Sequence, residues 1–192
     1  MDVHTPRLML REFRESDAAA ANRYEADPAV VRYTPHGARS LADSLAHLHA
    51  LLADAAHAEQ RQIFDFGVVQ RDDARLIGRC GLKLSDSEQT EATLWYVLAR
   101  SAWGRGYATE AAQAVLAFGF EELRLHRIFV EIDPRNAASL RVAEKIGLRR
   151  EGHFVEAVWL KDEWTDRVVF ALLDREYRAR VLKAPRRASR RG

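Results

Sequence analysis

Residues 92–132 restrict the possible folds of this chain more than any other stretch. They read as an apolar run (92–99), a turn bearing Gly104 and Gly106, an alanine-rich helical stretch (107–122) and a second strand-like run, Arg127–Ile132. Two neighbouring strands joined through a helix favour a right-handed parallel crossover. The flanks differ. Before the crossover, Ile63–Gln70 and Leu76–Leu84 surround the polar connection 71–75, which suits an antiparallel hairpin. After it, Arg149–Leu160 and residues 164–173 surround Lys161-Asp162-Glu163 as a second hairpin. Residues 7–13 read as an opening strand, and 18–26 as a helix introduced by Ser16-Asp17 and limited by Pro28. A second helix follows Ser40, with Leu41, Leu45, Leu48 and Leu52 on one face. Residues 137–146 form a short helix stopped by Gly147. The expected fold is α/β: a mixed, mostly antiparallel central sheet of about seven strands, flanking helices and one parallel crossover at the glycine turn. Continuous β-α alternation, the mark of a doubly wound domain, is missing.

The turn itself suits an anion. A helix start leaves its first backbone amides without acceptors and carries partial positive charge. Gly104 and Gly106 permit tight dihedrals and close approach to the main chain. A nucleoside triphosphate loop is set aside, because no Gly-Lys-Ser/Thr follows. A dinucleotide fingerprint meets Thr109 where its third glycine belongs, although Glu131 and Asp133 fall near the place of a ribose-binding acid. A plain strand-to-helix turn also accounts for the glycines.

Composition bounds the setting. The single cysteine, Cys80, lies in an apolar run, so a buried, inert thiol in a reducing, cytoplasmic compartment is expected. No apolar stretch is long enough for a membrane span. Residues 1–182 read as one domain with 25 basic and 28 acidic residues, and 183–192 as a basic tail with five basic residues and no acidic one. Without aromatic residues, that tail reads as a disordered solubilising end and not as a nucleic-acid binder.

Trp103-Gly104-Arg105-Gly106-Tyr107-Ala108 resembles the acetyl-coenzyme A motif of the GNAT superfamily of N-acetyltransferases, Gln/Arg-x-x-Gly-x-Gly/Ala. Tryptophan ahead of Gly-x-Gly-Tyr-Ala-Thr-Glu is similar to the branch of the ribosomal-protein acetyltransferases RimJ and RimL. Four further segments resemble the family in order: Arg7-Leu8-Met9-Leu10-Arg11 with Asp17, Leu76-Ile77-Gly78 with Gly81, residues 136–148, and Trp164-Thr165-Asp166 with the run to Leu173. The resemblance spans roughly residues 6–175.

It implies transfer of acetyl from acetyl-CoA to an amine in a ternary complex, without a metal. The implied cosubstrate site comprises the amides of Gly104, Arg105, Gly106, Tyr107, Ala108 and Thr109 for the pyrophosphate, and the backbone of Tyr96, Val97 and Leu98 for the pantetheine arm and the oxyanion. Arg105, with Arg100 or Lys145, would offset phosphate charge, and Asn136 would cap a helix or touch the cosubstrate. The family's usual tyrosine acid falls on Ala143, which leaves Ser139, directly or through water, to protonate the thiolate. The base is open among Glu91, Asp65, Glu12 and a water chain, with His126 and His153 read as structural. Tyr24, Tyr33, Trp159 and Trp164 are candidates for the acceptor cleft. The branch points to protein N-terminal amines as acceptors, with amino acids, polyamines and antibiotics as alternatives and a non-catalytic acyl-CoA sensor as another class. The chain is expected to act as a monomer or homodimer.

Overall fold

Helices cover both faces of the central strands, so those strands are apolar on both sides. The computed structural model describes residues 2–57, 61–85 and 90–183; of the disordered tail expected at 183–192, Lys183 ends the last helix and the rest lies outside that range. The strands are β1 (Asp2–His4), β2 (Leu8–Glu12), β3 (Ile63–Gln70), β4 (Leu76–Leu84), β5 (Glu91–Leu98), β6 (Arg127–Ile132), β7 (Arg149–Leu160) and β8 (Glu163–Leu173). The helices are α1 (Ala18–Glu25), α2 (Leu41–Ala56), α3 (Tyr107–Glu121), α4 (Ala137–Lys145) and α5 (Asp174–Lys183). One eight-stranded sheet has the order β1-β2-β3-β4-β5-β6-β8-β7. Among the described residues, only β5 and β6 pair in parallel. Cys80, Leu82, Ile128 and Phe170 pack with Ala111, Val115 and Leu116 of α3 and Ala143 of α4. On the other face Phe13, Tyr24 and Leu48 pack against Leu76 and Val97.

Local chemistry sets the helix ends. Ser40 and Asp43 form a capping box at α2. At α4, Gly147 takes φ +82° and the Leu148 amide returns to Ala143 O at 3.0 Å, closing the helix as a Schellman turn. Gly119 lets α3 lie close to the sheet: a Cβ there would come within 2.6 Å of Ile128 Cδ1.

Among the described residues eight strands stand where about seven were expected, and α5 was not foreseen. β1 is three residues on the sheet edge, too short for alternation to show. α5 (DREYRARVLK) has no apolar stripe; it is held by Tyr177, which stacks on Phe120 at 5.0 Å and donates to Glu121 Oε1 at 2.5 Å.

The sheet is parted at its parallel pair. β4 and β5 stay in register as far as Gly78↔Leu98, whereas β5 and β6 pair only at Glu91↔Arg127, Ala92↔Ile128 and Thr93↔Phe129. Beyond Thr93 the two strands diverge, leaving a wedge that opens toward their C-terminal ends.

A buried ion network binds α1 and α2 to the sheet beside this wedge. Arg79 of β4 pairs with Asp65 of β3 and, at 3.0 Å, with Glu25 of α1. Glu25 also accepts from Arg39 at 3.0 Å and from Ser44 Oγ of α2 at 2.7 Å. The Glu25 and Asp65 side chains are only 3% and 1% exposed, so removing their shared cation leaves two carboxylates in a poor solvent. Arg79→Leu should therefore destabilise the protein by about 3–5 kcal/mol in urea unfolding; a loss below about 1 kcal/mol would show that water reaches the network.

Candidate active site

β5 leads directly into the glycine turn. Residues Arg100–Ala102 make one 3-10 turn, and Trp103 Nε1 donates to Leu98 O at 2.8 Å, drawing the turn back over the strand end. Gly104 and Gly106 take φ +73° and +78°, the left-handed region where a Cβ is costly. No atom lies within 4 Å of a Cβ built on Gly104, so the main chain there is open to a ligand. The first helical bond of α3 runs from the Glu110 amide to Gly106 O at 3.1 Å. The amides of Tyr107, Ala108 and Thr109 therefore lack helical acceptors and point out of the helix start. The Tyr107 ring faces inward, where its hydroxyl accepts from Gln70 Nε2 at 2.9 Å, so only its amide can serve a ligand. Arg105 is exposed.

Across the wedge stands the start of α4. Asn136 Oδ1 accepts the Ser139 amide at 3.1 Å and caps the helix. Tyr96, midway along β5, donates its hydroxyl to Ser139 O at 3.1 Å, and burial pushes its pKa up. The structure thus gathers Tyr96, Val97, Leu98, residues 104–109, Asn136 and Ser139 around the wedge. Lys145 is exposed in the last turn of α4, at the opposite end of that helix from Ser139, and Arg100 lies 3.8 Å from Asp27.

The candidate bases are engaged elsewhere. Asp65 is buried on Arg79, and Glu12 pairs with Arg61 at 2.9 Å. Glu91 stands at the closed end of the wedge, in register with Arg127. His153 meets Asp166 at 2.7 Å on the outer hairpin, and His126 is exposed. Burial pushes the Cys80 thiol up, which fits an inert core cysteine.

One wall escaped the sequence. Residues 27–36 cross the open end of the wedge: Tyr33 donates to Arg135 O at 3.2 Å, and Lys161 Nζ donates to Val31 O at 2.6 Å. Arg135 in turn bridges Asp133 at 2.6 Å and Glu163 at 2.8 Å. The Tyr33 and Lys161 contacts join residues more than 100 positions apart, and no local motif announces them. Tyr33 lies on this wall, and the Trp159–Trp164 pair, 5.4 Å between ring centres, is exposed on the β7–β8 hairpin. Tyr24 is sealed in the core at 1% exposure and lines no open cleft.

The dinucleotide alternative fails on topology. The sheet order is not doubly wound, and the Asp133 carboxylate is already held by Arg135. The parted parallel pair, the glycine turn at a helix start and the antiparallel flanks instead define an acyl-CoA-dependent transferase of the N-acetyltransferase type. Residues 7–149 match the family model described as the acetyltransferase (GNAT) domain, and the chain belongs to that family. It is 37% identical over 177 residues to the uncharacterized N-acetyltransferase YnaD of Bacillus subtilis (strain 168), covering 92% of this chain and 99% of YnaD. An acetyltransferase of the GNAT family from Bacillus anthracis superposes with a TM-score of 0.83 at 32% identity, over 92% of this chain and 100% of that one. The fold is shared with RimL, a ribosomal alpha-N-protein acetyltransferase in complex with coenzyme A, at a TM-score of 0.79 and 17% identity, over 90% and 98% of the chains. No helix among the described residues is long and apolar enough to cross a membrane.

Because Asn136 Oδ1 meets the Ser139 amide, Asn136→Ala should cost about 1 kcal/mol of stability in denaturant melts. Asn136→Asp keeps the acceptor oxygen and should restore most of it; equal losses in both variants would deny the cap.

Proposed function

We propose that the chain transfers acetyl from acetyl-CoA to a primary amine, and that the acceptor is the α-amine of a protein N-terminus. The observation that carries the reading is the wedge, with unpaired β5 backbone on one side, the α3 helix start at its mouth and Ser139 across from it. The thioester supplies an activated acetyl group when bound. The amides of 104–109 would take the pyrophosphate, and Arg105 would offset part of its charge. The backbone of Tyr96, Val97 and Leu98 would align the pantetheine arm as an added strand and offer amides to the charge developing on the carbonyl oxygen. Tyr96 sets the distance across the wedge by holding Ser139 O. Ser139, alone or through a water, would return a proton to the departing sulfur, a task the usual tyrosine cannot do with Ala143 in its place.

Two features favour an α-amine. Asp65 and Glu12 are ion-paired, so the acceptor's proton must leave largely through water. An α-amine, with an ordinary pKa near 8, is partly neutral already, whereas an amine near 10 is not. The carboxylates on the wall are also ion-paired, Asp27 with Arg100, and Asp133 and Glu163 sharing Arg135. Beside them Phe154, Val155, Trp159 and Trp164 are exposed, which suits a peptide better than a small polycation. On this reading the protein works in the cytoplasm, without a metal, as a monomer or homodimer.

Thiol release from acetyl-CoA with N-terminal peptides, spermidine and free amino acids should be fastest with the peptides. Fastest release with spermidine would replace the acceptor class, and coenzyme A binding without release on any amine would favour a sensor. With the preferred acceptor, Ser139→Ala should lower kcat by about tenfold to a hundredfold, with coenzyme A affinity unchanged. An unaltered kcat would remove Ser139 from proton transfer.

A further inference from the structure

Arg7, outside the glycine turn in sequence, holds it from behind. Its Nη1 donates to Arg105 O at 2.9 Å, while Nε and Nη2 each lie 2.6 Å from Glu110 Oε2 in the first turn of α3. Glu110 Oε1 receives the Arg7 amide at 2.9 Å and Thr5 Oγ1 at 2.6 Å. The guanidinium carbon sits 4.6 Å above the Tyr107 ring, which Gln70 fixes from the core. The guanidinium is thus oriented by a carboxylate and a ring before it meets the Arg105 carbonyl.

We infer that Arg7 is a positioning residue for the anion-binding turn, which it serves by fixing one orientation of the peptide between Arg105 and Gly106. In a trans peptide the carbonyl and the following N–H point in opposite directions. Holding Arg105 O on Arg7 therefore turns the Gly106 amide away from Arg7, toward the ligand side of the turn. Because Gly106 has no Cβ, rotation of this peptide costs little, and the sequence of the turn alone does not select an orientation. The reversed peptide would present a carbonyl oxygen to an incoming phosphate. Arg7 also neutralises Glu110, a carboxylate one helical turn from the site that would otherwise repel the same anion. Burial works against ionisation of Glu110, but the hydrogen bonds from Thr5 and Arg7 outweigh it and hold the carboxyl below its ordinary range.

The inference rests on the proposal that this turn takes the pyrophosphate of coenzyme A, and two probes separate the two ideas. Calorimetry would compare coenzyme A with pantetheine, which lacks the pyrophosphate, on the wild type, Arg7→Ala and Arg7→Lys. Arg7→Ala should weaken coenzyme A by about tenfold or more and leave pantetheine unchanged, with Arg7→Lys recovering part of the loss, since an ammonium replaces the charge but not the fork. Loss of fold would weaken both ligands, so the ratio of the two affinities is the deciding quantity; should Arg7→Ala not fold, Arg7→Lys carries the same comparison. An unchanged ratio in the folded variants would overturn the role of Arg7 while leaving the site standing. A wild type that binds pantetheine as tightly as coenzyme A would overturn the site and the clamp together.

Discussion

A backbone ladder that stops after three residue pairs organises this molecule. Paired further, β5 and β6 would close the sheet and bury the chemistry. Parted, they leave main-chain donors and acceptors in the middle of a protein, where such groups require partners. The flanking ladders keep the opening rigid, because β5 stays in register with β4 to Leu98 and β6 with β8 to Ile132. A groove bounded by two fixed strands can accept an extended ligand arm by the rules that pair strands. The turn after β5 then delivers a helix start to the same place.

The rest of the fold supports that opening. Tyr96 spans it toward α4, and residues 27–36 cross its mouth by way of Arg135 and Lys161. On the α1–α2 side, the network around Arg79 fixes the layer against which Val97 packs. Arg7 reaches from the start of β2 to the glycine turn, so the opening strand and the crossover helix are mechanically one unit. These ties connect segments distant in sequence to the turn and the opening beside it.

Most elements were legible because their signals are local. β3 and β6 end where their apolar runs end, and Ser40, Asn136 and Gly147 mark helix limits through their own backbone chemistry. The glycine turn was legible as a strand-to-helix turn for the same reason, since Gly104 and Gly106 take positive φ there. Illegible features depend on distant partners. Asp65 reads as an ordinary strand-end acid until Arg79 and Glu25 surround it, and α5 has no stripe because its anchor is one tyrosine on Phe120. The family resemblance carried the step from a generic anion to an acyl-CoA, which spacing alone left open beside a dinucleotide.

The central proposal is that coenzyme A occupies the wedge with its pyrophosphate on the α3 helix start. Adding coenzyme A to isotope-labelled protein and following the backbone amides by NMR addresses it directly. The amides of residues 94–98 and 104–109 should shift together and saturably, with the far edge strand β1 undisturbed. Shifts that leave Gly104, Gly106 and Thr109 unmoved, or that appear with a nicotinamide dinucleotide and not with coenzyme A, would contradict it.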